Sequence, residues 1–100
     1  MARLLTTEEI ERGLRDLPAW TGDAQGLRRE ARAPDFPSAI AVVDEVARVA
    51  EQMNHHPDID IRWRTLRFAV VTHSAGGVTR FDVELARRIE EILDQLGAAG

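Results

Sequence analysis

Apolar residues recur at helical spacing in three segments of the chain, and a capping residue precedes each segment. Thr6 stands three positions before Glu9, and Thr79 stands three positions before Asp82. In this pattern the hydroxyl and the carboxylate satisfy free backbone donors at a helix start. Asp35 is suited to cap the second segment, which has a proline in its first turn. The chain is therefore predicted to contain three helices.

The predicted helices differ in how much apolar surface they carry. The first has only a modest face, made of Ile10, Leu14 and Leu17. The face predicted for the second comprises Phe36, Ile40, Val43, Val46, Ala47, Ala50 and Met53. The stripe predicted for the third comprises Leu85, Ala86, Ile89, Ile92, Leu93 and Leu96.

Two pairs of strands are predicted between the helices. Turn residues around Gly22 and Gly26 indicate a hairpin of two short strands between Trp20 and Ala33. After the second helix, the inward positions are odd-numbered at first and then even-numbered: Ile59, Ile61 and Trp63, followed by Leu66, Phe68 and Val70. A bulge or tight bend near Thr65 is needed to keep both sets on one face.

The resulting order of elements is α-β-β-α-β-β-α. Adjacent strands that are joined by short turns pair antiparallel, so we expect an α+β fold with a four-stranded antiparallel sheet and the helices packed on one face. A chain of 100 residues has room for a single core. Residues 1–100 are therefore expected to form one domain.

Composition excludes several classes of function. The sequence has no cysteine, which rules out disulfides, thiolate metal sites and cysteine nucleophiles. Its net charge of −4 argues against nucleic-acid binding, and no apolar stretch approaches the roughly 20 residues of a membrane span. All 13 basic residues are arginine, which is typical of GC-rich bacterial genomes. We expect a cytoplasmic bacterial protein with no membrane and no nucleic-acid partner.

All three histidines lie at the ends of predicted elements. His55 and His56 follow the long helix, and His73 ends the last strand. Loop residues held by rigid elements often carry function, although solvated histidines without a role would explain the same positions. Glu51 precedes His55 by four residues, so a helix that continues that far would set the carboxylate beside this imidazole. Pro57 favours an extended His56, so the two neighbouring rings are expected to point in opposite directions.

Three imidazoles leave acid–base catalysis as the expected chemistry. They could bind zinc, but neighbouring histidines meet the usual i, i+4 ligand geometry poorly, so no metal is expected. No nucleophile elbow surrounds Ser38 or Ser74, and the glycine pair that follows Ala75 is predicted to form a turn rather than a phosphate-binding loop. Imidazole exchanges protons near neutral pH, which suits general acid–base catalysis.

The spacing of these residues resembles a family signature. Three residues separate Glu51 from His55-His56-Pro57, and five separate that group from Trp63. Nine residues separate Trp63 from His73, and eight separate His73 from Asp82. This pattern closely resembles that of the pterin-4a-carbinolamine dehydratases, also called 4a-hydroxytetrahydrobiopterin dehydratases. The match covers 32 residues directly, and the predicted order of elements is that of the family over almost the whole chain.

The resemblance implies a hydro-lyase that removes water from a 4a-hydroxytetrahydropterin and yields the quinonoid dihydropterin, in tetrahydropterin recycling. It implies neither a metal nor an organic cofactor. By resemblance, the catalytic residues that line the pterin pocket are His55, His56 and His73. His56 and His73 are expected to transfer protons, and His55, held by Glu51, to orient the substrate or share this work. The further pterin contacts that the resemblance implies are Glu51, Pro57, Trp63, Thr72, Ser74, Ala75 and Asp82.

Two of these signature residues also have a structural explanation. Trp63 belongs to the inward set of its strand, so burial would account for it as well as contact with a flat pterin would. Asp82 fits its capping box without any further role.

The sequence departs from the family pattern at three positions. Ile59 replaces an aromatic residue of many relatives, and Ala75 replaces a cysteine of animal relatives. Phe81 replaces the arginine of an Arg-Asp pair, with Arg80 one position earlier. None of these changes touches the histidines, so they bear on pterin affinity and side-chain preference.

The resemblance also implies partners. Family members form dimers or tetramers, so a homodimer or homotetramer is expected, with the stripe from Leu85 to Leu96 available for association. Functional coupling to an aromatic amino acid hydroxylase is implied as well. Because animal relatives also serve as dimerisation cofactors of a transcription factor, a non-catalytic pterin-binding or protein-interaction module is the alternative to an enzyme.

Overall fold

The computed structural model of the chain describes residues 2–98, and within them it contains the three helices and four strands that the sequence predicts. In chain order they are α1 (Thr7–Leu14), β1 (Thr21–Asp23), β2 (Gly26–Arg32), α2 (Phe36–Met53), β3 (Asp58–Arg62), β4 (Thr65–Val70) and α3 (Arg80–Gln95). A short 3₁₀ turn, His73–Ala75, lies between β4 and α3. The predicted α+β class and the order of elements are confirmed.

The strands form one antiparallel sheet in the order β1-β2-β4-β3. Two hairpins, β1–β2 and β3–β4, supply the outer strands, and β2 pairs with β4 in the centre. The two central strands are therefore bonded on both sides, whereas β1 and β3 are edge strands.

The helices cover one face of this sheet. Leu27 and Ala31 of β2 point into the core together with Leu66, Phe68 and Val70 of β4, and each is at most 1% exposed. α3 packs across these two strands, α2 packs against α3, and α1 contacts β1 and α3. The apolar stripe predicted for α3 is buried from its first residue through Leu93, so it forms core rather than a free surface. Within residues 2–98, no helix combines the length and the apolar character needed to cross a membrane.

The predicted helix starts are confirmed. The Thr6 hydroxyl accepts from the Glu9 N–H at 3.1 Å, and the Glu9 carboxylate accepts from the Thr6 N–H at 2.9 Å. Asp35 caps α2 by accepting the Ser38 N–H at 2.8 Å. A cap of this kind stabilises a helix by about 1 kcal/mol because it satisfies a donor that the helix itself cannot bond.

The face that α2 buries is shifted from the predicted one and shares Val46 and Ala50 with it. Its buried residues are Ala39, Val42, Val46, Val49 and Ala50. Phe36 and Ile40, which were predicted to be inward, are 48% and 39% exposed. The helix carries apolar residues round most of its circumference, so its periodicity is compatible with more than one inward side. Packing against α3 decides which side is buried.

The predicted inward position of Trp63 is wrong. Arg62 pairs with Thr65, so residues 63 and 64 form a two-residue turn between β3 and β4. Trp63 lies in this turn with φ 54° and is 66% exposed, and the guanidinium of Arg64 lies 4.7 Å from the centre of its ring. Two-residue hairpin turns need positive φ to match the twist of the strands. This turn is the tight bend that the change of parity near Thr65 requires.

A buried ion pair joins β2 to α3. Arg29, whose side chain is 4% exposed, donates from Nε to Glu90 Oε1 at 2.9 Å and from Nη2 to Glu90 Oε2 at 3.2 Å. The indole of Trp20 donates to the same carboxylate at 2.9 Å. The hydrogen bond from Arg29 holds the pKa of Glu90 below its ordinary value, the bond from Trp20 adds to this, and burial opposes it.

Removing this carboxylate is expected to destabilise the fold because it leaves the Arg29 guanidinium buried without its partner. We expect Glu90→Ala to lower the free energy of unfolding by about 3 kcal/mol in urea denaturation at neutral pH. Glu91→Ala, a change at the exposed neighbouring position, is the control and should change it by less than about 0.5 kcal/mol. Equal losses for the two variants would contradict the prediction.

The ion pair also predicts the direction of the pH dependence. Because the pKa of Glu90 is lowered in the folded state, its contribution is complete above the ordinary value of 4.5 and is lost as the pH falls below that value. Urea denaturation from pH 6 to pH 3 should therefore show a larger loss of stability for wild type than for Glu90→Gln. Identical pH profiles would show that the pair contributes nothing.

Candidate active site

The β3–β4 hairpin brings two loops to the same end of the sheet. Asp58 at the start of β3 pairs with Ala69 near the end of β4. The segment 55–57 therefore enters the sheet beside the point where the segment 72–75 leaves it. These two segments carry all three histidines of the sequence.

The first loop begins where α2 ends, one residue before the histidine pair. Asn54 adopts the left-handed conformation, with φ 50° and ψ 43°, and the His55 N–H turns back to donate to the Ala50 carbonyl at 3.1 Å. Asparagine tolerates this conformation better than most residues, which makes it a common helix terminator. The reversal ends the helix before His55, so helical side-chain spacing no longer applies to the histidines.

His55 binds a buried carboxylate from the other side of the site. Its Nε2 lies 2.6 Å from Asp82 Oδ1, and the two side chains are 13% and 0% exposed. The two residues are 27 positions apart, and Asp82 lies in the first turn of α3. The pair therefore ties the end of α2 to the start of α3.

The other oxygen of Asp82 also has partners. Asp82 Oδ2 accepts the Thr79 N–H at 2.8 Å and the Thr72 hydroxyl at 2.8 Å. The Thr72 hydroxyl in turn lies 2.7 Å from the Thr79 hydroxyl, which accepts the Phe81 N–H at 3.3 Å. Since Thr72 donates to Asp82, Thr79 must donate to Thr72. The hydrogen bonds run in one direction from the start of α3 to the carboxylate, and both threonines and Asp82 are at most 9% exposed.

These contacts fix the form of the His55 ring. A carboxylate that accepts from Thr72 and from the backbone of Thr79 acts as an acceptor, so His55 is the donor through Nε2. In the neutral ring the lone pair is then on Nδ1, which points away from Asp82. The arrangement resembles the carboxylate–imidazole pairs that orient a proton-transferring histidine in many enzymes.

Glu51 binds His56 and not His55, which corrects the predicted pairing. Glu51 Oε2 lies 2.6 Å from His56 Nε2, and the two side chains are 77% and 54% exposed. The prediction required α2 to continue past Asn54, and the left-handed residue at that position turns His55 towards α3 instead. The two neighbouring imidazoles take different partners, in agreement with the opposite directions predicted for them.

The second loop is closed by its backbone. Thr72 and Gly77 exchange two hydrogen bonds across the 3₁₀ turn, at 3.0 and 3.3 Å. Gly76 has φ 78°, a conformation that residues with a Cβ rarely adopt. His73 and Ser74 at the head of this loop are exposed, and no side-chain hydrogen bond of His73 is found among residues 2–98. His73 therefore presents its ring to solvent.

The structure assembles most of the residues predicted for the site at this end of the sheet. They are Glu51, His55, His56, Pro57, Thr72, His73, Ser74, Ala75 and Asp82. Trp63 is not among them, since it lies at the opposite end of the β3–β4 hairpin. In the part of the chain that the structure describes, no group of three or more His, Cys, Asp and Glu side chains has a metal-binding arrangement.

Two residues that the sequence analysis did not assign to the site contact it directly. The Thr79 hydroxyl bonds Thr72, and the ring of Phe81 lies 6.0 Å from that of His55, tilted by 42°. The capping box predicts a helix start at Thr79, but it does not predict the hydrogen bond between the hydroxyls of Thr79 and Thr72. Phe81 was noted as a departure from relatives, and that departure was the only signal available.

The hydroxyl of Thr72 offers a direct test of this network. We expect Thr72→Val, which keeps the shape of the side chain, to lower the free energy of unfolding by about 2 kcal/mol because the Thr79 hydroxyl and Asp82 each lose a buried partner. Thr72→Ser keeps the hydroxyl and is the matched control, with a loss below about 1 kcal/mol. Urea denaturation of both variants measures the difference, and equal stabilities would contradict the network.

Comparison with known proteins identifies the family of the chain. Residues 3–92 match the family described as Pterin 4 alpha carbinolamine dehydratase. A protein of Nocardia farcinica, named "Putative pterin-4-alpha-carbinolamine dehydratase", is 54% identical over 89% of this chain and 94% of its own length. A protein of the same name from Roseiflexus castenholzii is 50% identical over 93% of this chain and its own full length.

Two solved structures share the fold. The crystal structure of a transcriptional coactivator/pterin dehydratase from Brucella melitensis has a TM-score of 0.86 at 29% identity, over 90% of this chain and 98% of that one. A pterin dehydratase-like protein described as a RuBisCO assembly factor in the alpha-carboxysome has a TM-score of 0.60 at 16% identity, over 73% of this chain and 84% of that one. The family match and the close relatives cover nearly all of the chain, which therefore belongs to the pterin 4 alpha carbinolamine dehydratase family.

Proposed function

We propose that the protein catalyses the dehydration of a 4a-hydroxytetrahydropterin to the quinonoid dihydropterin and water. The observation that carries the proposal is the shared carboxylate of Asp82. It binds His55 from one loop and Thr72, the neighbour of His73, from the other. The two segments that carry the three histidines, 55–57 and 72–75, are thereby linked at one end of the sheet. Membership of the family supports the same reaction.

The reaction needs two proton transfers and no redox step. The lone pair on N5 of the substrate forms the C4a=N5 double bond while the bond between C4a and the hydroxyl breaks. An acid protonates the departing hydroxyl, which leaves as water, and a base accepts the proton from N5. Acid–base groups that are positioned in this way commonly contribute about 10²–10⁴ in rate.

The contacts of the three rings suggest how they divide this work. His55 has a fixed tautomer with Nδ1 free to accept, so we assign it the proton from N5. His73 has an exposed ring and is assigned the delivery of a proton to the leaving hydroxyl. His56, whose Nε2 lies 2.6 Å from Glu51, is assigned either to share the proton delivery of His73 or to hold the substrate. This division gives His55 a larger part than the sequence analysis did, because Asp82 and not Glu51 is its partner.

The remaining site residues are proposed to contact the pterin from the two loops. Pro57 follows the histidine pair, and Thr72, Ser74 and Ala75 flank His73. The hydroxyl of Thr72 bonds Asp82, and its backbone N–H and carbonyl bond Gly77, so its proposed contact with the pterin is a van der Waals contact. A cytoplasmic location and coupling to an aromatic amino acid hydroxylase stay predictions from the sequence.

The test is a dehydration assay with the carbinolamine generated in situ and followed spectroscopically. Wild type should exceed the spontaneous rate, and His55→Ala and His73→Ala should each lower turnover at least about a hundredfold. Asp82→Asn should lower it by about tenfold or more, and Glu51→Gln by less because that pair is exposed. Asp44→Ala, at an exposed position of α2, is the control and should keep wild-type turnover.

One outcome would overturn the enzymatic proposal. If wild type and the histidine variants all match the spontaneous rate while remaining folded, the chain is not a dehydratase. Retained binding of a dihydropterin would then favour the non-catalytic pterin-binding alternative.

We also propose that the protein self-associates through α2, as a homodimer or homotetramer. The stripe on α3 that the sequence offered for association is buried in the core. α2 instead exposes Phe36 at 48% and Ile40 at 39%, one helical turn apart on the same side. Exposed large apolar residues that are adjacent are typical of a surface covered by another protein.

Sedimentation velocity tests the association. Wild type should sediment as a dimer or tetramer, and Phe36→Glu with Ile40→Glu should shift it to the mass of a monomer because two carboxylates cannot be buried unpaired at the contact. Gln52→Glu adds a charge at an exposed position of the same helix and should leave the mass unchanged. A monomeric wild type, or a double variant that keeps the wild-type mass, would refute the assignment.

A further inference from the structure

A groove between α1 and α3 begins beside the histidine site. Its volume is about 660 Å³. Its apolar floor is formed by Leu5, Gly13, Phe81 and Val83. Phe81 also contacts the His55 ring at 6.0 Å, so one aromatic side chain belongs both to the groove and to the surroundings of the catalytic histidine. Phe81 therefore lies between His55 and the groove.

Arg80 stands at the mouth of this groove without an acidic partner. Its guanidinium carbon lies 5.1 Å from the centre of the Phe81 ring, and the side chain also lines a neighbouring cavity of about 290 Å³ with Ala2, Arg3 and Leu5. Among residues 2–98, no ion pair involves Arg80. As the first residue of α3 it is also badly placed for the helix dipole, so helix stability does not explain it.

The charged residues that line the groove are Glu9, Arg12, Asp16, Arg80, Glu84 and Arg87. Among residues 2–98, ion pairs are found for Glu9 and Glu84 of this set. Arg3 is neutralised by Glu9, with bonds of 2.8 and 2.9 Å, and this contact lowers the pKa of Glu9 to about 2. Glu84, further along the groove, faces Arg88 at 4.0 Å. Glu9 is therefore occupied, and Arg80 is the groove cation that stacks on Phe81, the residue whose ring lies beside His55.

We propose that this groove binds the side chain of the pterin substrate, with Phe81 as its apolar wall and Arg80 as the residue that selects an anionic group on that side chain. The inference rests on the proposed dehydratase activity. A tetrahydropterin whose ring lies at the histidines would extend its C6 substituent over Phe81, and a phosphate or carboxylate at the end of that substituent would bind the guanidinium of Arg80. The substrate class is thus a 4a-hydroxytetrahydropterin with an anionic side chain.

A matched pair of substrates tests the selection. One is the carbinolamine of a tetrahydropterin with a trihydroxypropyl side chain, and the other is the same compound with its terminal hydroxyl phosphorylated. Wild type should show a kcat/KM about tenfold higher for the phosphorylated substrate. Arg80→Gln should abolish this preference by raising KM for the phosphorylated substrate about tenfold, with kcat and the neutral substrate little changed. Phe81→Leu should raise KM for both substrates.

The control is Arg28→Gln, which removes the same charge from an exposed position on the open face of the sheet. It should keep the wild-type preference, because it changes the net charge of the protein as Arg80→Gln does but removes no contact with the phosphate. An equal loss of preference in Arg28→Gln would overturn the subsite, as would a wild type with no preference or an Arg80→Gln that retains it.

The two proposals fail in different ways. If wild type converts the neutral substrate only at the spontaneous rate, the proposed dehydratase activity is refuted. If turnover exceeds that rate but Arg80→Gln keeps the wild-type ratio of kcat/KM for the two substrates, only the side-chain subsite is refuted. Circular dichroism of each variant confirms that it is folded before the kinetics are compared.

Discussion

The structure depends on one carboxylate that no water reaches. Asp82 is fully buried, and a buried charge is stable only when strong donors surround it. Its donors come from three separate segments: the backbone of Thr79 at the start of α3, the hydroxyl of Thr72 after β4, and the ring of His55 after α2. The same contact therefore caps a helix, closes a loop and orients an imidazole. Fold stability and site geometry cannot be varied independently here.

This constraint gives the site a rigid side and an open side. His55 is nearly buried and bound to Asp82, whereas His56 and His73 are exposed, and the partner of His56 is the exposed Glu51. In the proposed reaction, the oriented ring of His55 would accept the proton from N5, and the exposed rings would adjust to the substrate. Arg80 and Phe81 precede Asp82 in the first turn of α3, and the ring of Phe81 lies 6.0 Å from that of His55.

Local sequence rules predicted the elements well and the contacts between them less well. The capping boxes at Thr6 and Thr79, the helix start at Asp35 and the bend near Thr65 follow from neighbouring residues, and all of them are observed. The predicted contact between Glu51 and His55 was wrong because the left-handed conformation of Asn54 turns His55 away from Glu51. The i, i+4 rule applies only while the helix continues. The predicted burial of Phe36, Ile40 and Trp63 was wrong. Packing against α3 decides the first two and the register of the hairpin decides the third, and neither is a local property. Asp82 and His55 are 27 positions apart. Each was therefore predicted as a site residue, but the hydrogen bond between them was not.

The most direct measurement of the central claim is the tautomer of His55, read from the ¹⁵N shifts of its imidazole at a pH where the ring is neutral. Hydrogen bonding to Asp82 predicts a ring protonated at Nε2 and unprotonated at Nδ1 in wild type, with this single form lost in Asp82→Ala. A wild-type ring protonated at Nδ1, or one that averages both tautomers as free histidine does, would contradict the account.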